Sequence, residues 1–280
     1  MIVAMRGPIR GTVAAAVLGV VAATAAGASA APPDAMLLPD TVLLEELTWT
    51  EVRDALRAGT TTIIIPAGGT EQSGPHMALG KHNARVKVLS QAIARALGHT
   101  LVAPVIAYVP EGDVEPPTGH MRFPGTITTP EEAFRAVLEF AARSLRRHGF
   151  RDIVLIGDHG STQAGQKAVA ARLNREWAAT GARVHAIEEY YRAGAVEVPR
   201  LLAERGYRAA ELGRHAGLTD TALMLATDPR MVRLDRRRAG GGGDGVDGDP
   251  RRATAELGRP GVELIVARTV QAVRSALTHR

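Results

Sequence analysis

The chain has 280 residues, no cysteine and a formal net charge of +5. Without cysteine there is no disulfide, no thiolate metal ligand and no cysteine nucleophile. The arginines are spread through helical segments rather than massed on one stripe, so the charge argues against a nucleic-acid partner.

Residues 1–30 read as a secretory signal peptide. Arg6 and Arg10 form a basic start, an alanine-rich apolar run follows from Thr12 to Ala26, and Ala28-Ser29-Ala30 is a small-x-small cleavage site. That run is short for a membrane span, and no later stretch reaches span length. The expected product is an exported chain, periplasmic or secreted, with no membrane attachment after cleavage. It would carry about +3 (5 − 2, for Arg6 and Arg10) and form one domain over residues 31–280.

From there helical and strand signals alternate. Residues 47–58 show a helical pattern with Thr48 as N-cap, and Thr61 to Pro66 (TTIIIP) is a β-branched run typical of a strand buried on both faces. An amphipathic helix over 83–97 and an apolar strand over 101–109 follow. Thr129-Pro130-Glu131-Glu132 predicts a capping box opening a helix that runs to about Arg147. Asp152 to Gly157 (DIVLIG) reads as a third buried strand, 163–179 as a helix and 183–187 as a short strand. Helices are expected around 198–210, 219–227 and 253–278, and the glycine run from Gly240 to Gly245 reads by itself as a flexible linker. This order predicts an α/β fold, a three-layer α/β/α sandwich around a mostly parallel central sheet, with ligands beyond the carboxyl ends of the strands.

The residues with most chemistry cluster at those ends. After TTIIIP comes Gly68-Gly69-Thr70-Glu71-Gln72-Ser73-Gly74-Pro75-His76, then Lys81-His82-Asn83. Glycine lets backbone approach a ligand closely, and a carboxylate with an imidazole suits Zn²⁺ or Mn²⁺. After DIVLIG comes Asp158-His159-Gly160-Ser161, where Asp158 is either a ligand or the group that orients His159. His215 and Asp220 form a third cluster and are candidate acid–base groups. A long polar loop from Glu111 to Thr126, containing His120, reads as a substrate-facing wall.

In their order, these segments resemble the creatininase (creatinine amidohydrolase) family. GTEQSGPHMALGKH over 69–82 is similar to that family's G-S/T-x-E-Q-H-G-P-H-L-P-L-x-x-D, and GDHGST over 157–162 to N-G-H-G-G-N. HAGLTDTA over 215–222 is similar to H-A-G-x-x-E-T-S, Phe123-Pro124-Gly125-Thr126 stands unaltered, and 245–250 matches G-V-x-G-D-P. The resemblance implies a divalent-metal hydrolase of amide or cyclic-amide C–N bonds, a small-molecule substrate and a homo-oligomer. Three departures stand out: Ser73 replaces the histidine of E-Q-H, His82 a bridging aspartate and Asp220 a glutamate. The expectation is therefore a rebuilt site with one or two Zn²⁺ or Mn²⁺ ions. Glu71, His82, Asp158 and His159 would be ligands, and His215 and Asp220 acid–base groups. Gly69, His76, His120 and Ser161 would face the substrate. The alternative is a non-catalytic small-molecule binder on the same fold.

Overall fold

The structure, a computed structural model, describes residues 40–241 and 243–278. The expected signal peptide lies outside them. Among the described residues, no helix is long and apolar enough to cross a membrane.

The centre is a four-stranded sheet, all parallel. Its strands are β1 (Thr62–Ala67), β2 (Thr100–Val102), β3 (Asp152–Gly157) and β4 (Arg183–Ala186), in the order β2-β1-β3-β4. Nine α-helices are described. They are α1 (Trp49–Arg57), α2 (Lys81–Leu97), α3 (Glu131–His148), α4 (Thr162–Glu176), α5 (Glu189–Arg192), α6 (Val198–Glu204), α7 (Ala209–Leu212), α8 (Leu218–Thr227) and α9 (Ala255–Thr278).

Side chains alternate across a strand, so each central strand feeds two cores. Ile63, Ile65, Ile153 and Leu155 pack with Phe134, Leu138, Leu173 and Trp177 beneath α3 and α4. Ile64, Val154 and Ile156 pack with residues of α2, α8 and α9 on the other face. The expected α/β/α sandwich is observed, and the double burial explains why β1 and β3 read as unbroken apolar runs. In α9, a Cβ at Gly258 would lie 2.0 Å from the Ala222 carbonyl oxygen, so glycine there lets α9 cross α8 closely.

Some expected elements differ. The strand expected over 101–109 is regular only to Val102. Pro104 cannot donate to a ladder, and beyond it Ile106 makes an isolated bridge to Ala67 of β1 while Val109 bridges Thr128 outside the sheet. The capping box at 129–132 does not form, because Pro130 itself is the N-cap of α3 and has no side-chain cap. The box at Thr48 and Glu51 does form. Residues 189–197, unassigned from sequence, form α5 and a π-helical turn over 193–197. The stretch after Gly243 is docked rather than free, since Asp247 N–H donates to the His215 carbonyl (2.8 Å) and Arg214 N–H to the Asp247 carbonyl (3.1 Å).

Leu155 is wholly buried at the middle of β3. Leu155→Ala should cost about 2–5 kcal/mol, the usual range for a buried leucine that leaves a cavity. Urea unfolding would show a lower midpoint at unchanged slope, and a loss under about 0.5 kcal/mol would contradict this account of the core.

Candidate metal centre

The two central strands end in register. Ala67 pairs with Gly157, and Asp158 N–H still donates to the Ala67 carbonyl (2.9 Å). The turns carrying Glu71 and His159 therefore leave the sheet side by side. A third segment joins them. Ile106 is tied to Pro66 (2.9 Å) and Ile127 N–H to the Thr70 carbonyl (2.9 Å), which lays the loop between them over the same edge. That loop delivers Glu111 and His120.

Glu71 and Glu111 are both buried here, with the half-exposed edges of His120 and His159. One ligand-capable atom from each of the four lies within 4.8 Å of the others. His120 Nε2 is 2.9 Å and His159 Nε2 3.2 Å from Glu71 Oε2, and His159 Nε2 is 3.4 Å from Glu111 Oε2. These are close contacts without hydrogen-bond geometry. Glu71 Oε2 and both Glu111 oxygens are buried with no hydrogen-bond partner among the described residues. Three orphaned carboxylate oxygens facing two imidazoles suit a divalent cation, because a buried anion is costly unless paired. Gly69 makes the approach possible. Its φ is +151°, and a Cβ there would stand 2.8 Å from Glu111 Oε1.

The electrostatics agree. Burial and the adjacent negative charge of Glu71 push Glu111 up to about 9. Burial alone would raise Glu71 too, but the imidazoles of His120, His159 and His82 outweigh it and hold this carboxyl well below its ordinary range. Burial lowers His159.

Behind this cluster lies a second layer, built by the first turns of α2. Lys81, His82 and Arg85 fall on one helical face by their i, i+3 and i, i+4 spacing. Glu71 Oε1 faces His82 Nε2 (2.7 Å) and Asp158 Oδ1 faces Nδ1 (2.5 Å), each carboxylate as the acceptor, so both ring nitrogens are engaged. Burial and Lys81 work to lower His82, but Asp158 and Glu71 prevail and raise it. Asp158 also accepts from Arg85 Nη2 (2.6 Å) and Tyr190 Oη (2.6 Å). Asp220 is bound by Lys81 and by Arg85 Nη1 (2.7 Å). Burial opposes ionisation of Asp220, yet Lys81 and Arg85 keep its carboxyl well below the ordinary range.

Of the residues expected as ligands, Glu71 and His159 meet in the cluster. His82 and Asp158 instead engage each other and Arg85 one layer behind. Glu111, read from sequence only as part of a loop wall, and His120, read as substrate-facing, join the group that could hold a metal ion. Of the acid–base candidates, His215 reaches the site, with Nδ1 3.8 Å from Glu71 Oε1, whereas Asp220 is held in the ion-pair layer. Ser161 supports His159 through its hydroxyl (2.7 Å to Nδ1). His76 is wholly buried against Thr221 (3.0 Å), and burial lowers it to about 4. A cavity of about 760 Å³ opens beside Glu71, His159, His215 and Tyr191, in the usual size range of ligand sites.

A model of the creatininase family, described as creatinine amidohydrolase, matches residues 45–273. Creatinine amidohydrolase of Pseudomonas putida is 28% identical over 198 residues, covering 70% of this chain and 75% of its own length. Mycofactocin precursor peptide peptidase of Mycobacterium ulcerans (strain Agy99) is 27% identical over 230 residues, covering 71% and 78%. Among solved structures, "Creatininase Mn" matches with a TM-score of 0.69 at 25% identity, covering 84% of this chain and 98% of that one. A mutant creatininase of "Zn-Zn type" matches with a TM-score of 0.67 at 25% identity and the same coverage.

Arg85→Met would leave Asp158 and Asp220 short of a buried partner and should destabilise the fold by about 3–5 kcal/mol. Lys87→Met, which breaks the exposed pair with Glu45, should cost less than about 1 kcal/mol. Equal losses for the two variants in urea unfolding would contradict the role given to Arg85.

Proposed function

The chain belongs to the creatininase family, and on that premise we propose that it is a metal-dependent hydrolase that breaks the C–N bond of an amide, a cyclic amide or a short peptide. The observation that carries this reading is the group formed by Glu71, Glu111, His120 and His159, with three carboxylate oxygens buried and unpartnered. These four would hold a Zn²⁺ or Mn²⁺ ion. When bound, such an ion supplies Lewis acidity and makes water a stronger acid.

The chain's own groups supply the proton transfers. His215 Nε2 donates to the Gln72 carbonyl (2.9 Å), which leaves Nδ1 as a lone pair facing the site. Burial, and then the positive charge of Lys81, lower His215 to about 4, so it stands neutral near pH 7 and ready to accept a proton. In the proposed reaction His215 takes a proton as water adds to the substrate carbonyl. It returns that proton to the nitrogen as the C–N bond breaks. Asp220 and Asp158, tied to Lys81 and Arg85, act as fixed charges rather than as bases. The cavity beside Glu71 is larger than a small cyclic amide needs, and the similarity to a peptide peptidase supports keeping peptides among the substrates. The basic start and apolar run of residues 1–30 support an exported site of action.

A second reading, a non-catalytic small-molecule binder, is favoured by Ser73 and His82 at two positions where the family motif has metal-ligating types. The two readings separate experimentally. Glu71→Gln and His159→Ala should each lose bound zinc or manganese by elemental analysis. Hydrolysis of a panel of amides, lactams and short peptides should then fall by more than about 100-fold, beyond the usual cost of disturbing a supporting residue. His215→Gln should retain the ion while turnover falls by roughly 10²–10⁴-fold. Full turnover in the Glu71 and His159 variants would contradict the hydrolase reading. Metal binding with no turnover across the panel would favour the binder.

A further inference from the structure

We propose that the site takes a single divalent ion and that the ammonium of Lys81 stands in the place of a second. This rests on the metal reading above and concerns how many ions that site holds. At least one relative is described as of Zn-Zn type, so the number is a real question for this fold.

The two oxygens of Glu71 face different surroundings. Oε2 looks toward His120 and His159, at 2.9 and 3.2 Å, and has no hydrogen-bond partner among the described residues. Oε1 looks toward a wall of nitrogen: His82 Nε2 at 2.7 Å, Lys81 Nζ at 3.7 Å and His215 Nδ1 at 3.8 Å. A cation can join the first side. On the second, a cation is already present.

Lys81 opens α2 with its side chain 1% exposed, a rare state for lysine unless its charge is paired. Its ammonium binds Asp220 and lies beside Glu71, so it bridges two carboxylates as a metal ion would. Gly80 has no side chain, and the helix that begins there points Lys81 and Arg85, one turn apart, into the same buried layer.

Charge balance leads to the same number. The carboxylates here are the buried Glu71, Glu111 and Asp158 and the half-buried Asp220, and the buried permanent cations are Lys81 and Arg85. With all four ionised the deficit is two negative charges (four minus two) for a neutral His82 and one (four minus three) for a protonated His82, and one divalent ion covers either. A second would leave two positive charges excess in a dry site, an expensive arrangement. A proton on His82 would only reduce the deficit.

The test is the ion stoichiometry of the full chain. Ion-stripped protein is titrated calorimetrically with Zn²⁺ and separately with Mn²⁺, and bound metal is counted by elemental analysis after dialysis. We expect one equivalent for the wild type and for Lys81→Arg. Lys81→Met should gain a second, weaker equivalent, because Asp220, Glu71 Oε1 and His215 Nδ1 lose their resident cation. Two equivalents on the wild type would overturn this inference and leave the metal reading standing, whereas none would overturn both. A Lys81→Met chain with wild-type far-UV circular dichroism and still one equivalent would overturn the role of Lys81. If that variant does not fold, the wild-type count still decides between one ion and two.

Discussion

Four carboxylates, the buried Glu71, Glu111 and Asp158 and the half-buried Asp220, sit at the carboxyl edge of the sheet, and the arrangement of most polar groups there follows from the need to compensate them. Desolvating a carboxylate costs several kcal/mol unless a positive charge or a full set of donors replaces water. Two of the four, Asp158 and Asp220, find that compensation inside the chain through Arg85, Lys81, His82 and Tyr190. The other two find it only in part, since Glu71 is paired at Oε1 but not at Oε2 and Glu111 at neither oxygen among the described residues. They lie close together, and the electrostatic sign of their conflict is the upward displacement of Glu111. The protein thus separates a self-neutralised layer, which is structural, from an under-neutralised one, which calls for a cation from outside.

The fold delivers these groups to one place by simple geometry. Parallel pairing of β1 with β3 ends at Ala67 and Gly157, so the turns after both strands start from the same row. α2 begins just after the first turn and presents Lys81, His82 and Arg85 from behind. The loop from 111 to 126 is pinned at both ends to the β1 side of the sheet and closes the site from above. The segment around Asp247 braces the backbone of His215, so this histidine is positioned from a part of the chain more than 30 residues away.

Much of this was legible in sequence for physical reasons that differ from element to element. TTIIIP and DIVLIG announce doubly buried strands because both faces are apolar. The glycines after them announce close backbone approach, which makes Glu71 and His159 readable as site residues. Glu111 was legible only as part of a polar loop. Its burial depends on the contacts of Ile106 with Pro66 and Ile127 with Thr70, and no local pattern encodes those. His82 has the right residue type and spacing for a ligand. Sequence cannot show that Asp158 and Glu71 already occupy both of its nitrogens. Of the two cations that determine the charge of the whole layer, Lys81 reads only as a neighbour of His82 before the helix and Arg85 as an ordinary helix residue. The glycine run near 240 looks like a linker by composition, yet the chain just after it is docked by backbone hydrogen bonds that composition does not reveal.

The central claim is that the four-residue group at the strand ends is a metal centre. The most direct measurement is X-ray diffraction from crystals of the zinc-loaded chain, recorded on both sides of the zinc absorption edge. The account predicts an anomalous peak about 2.0–2.2 Å from ligand atoms of Glu71, Glu111, His120 and His159. A zinc-loaded crystal with its anomalous density bound elsewhere, and none within reach of Glu71 and His159, would contradict it.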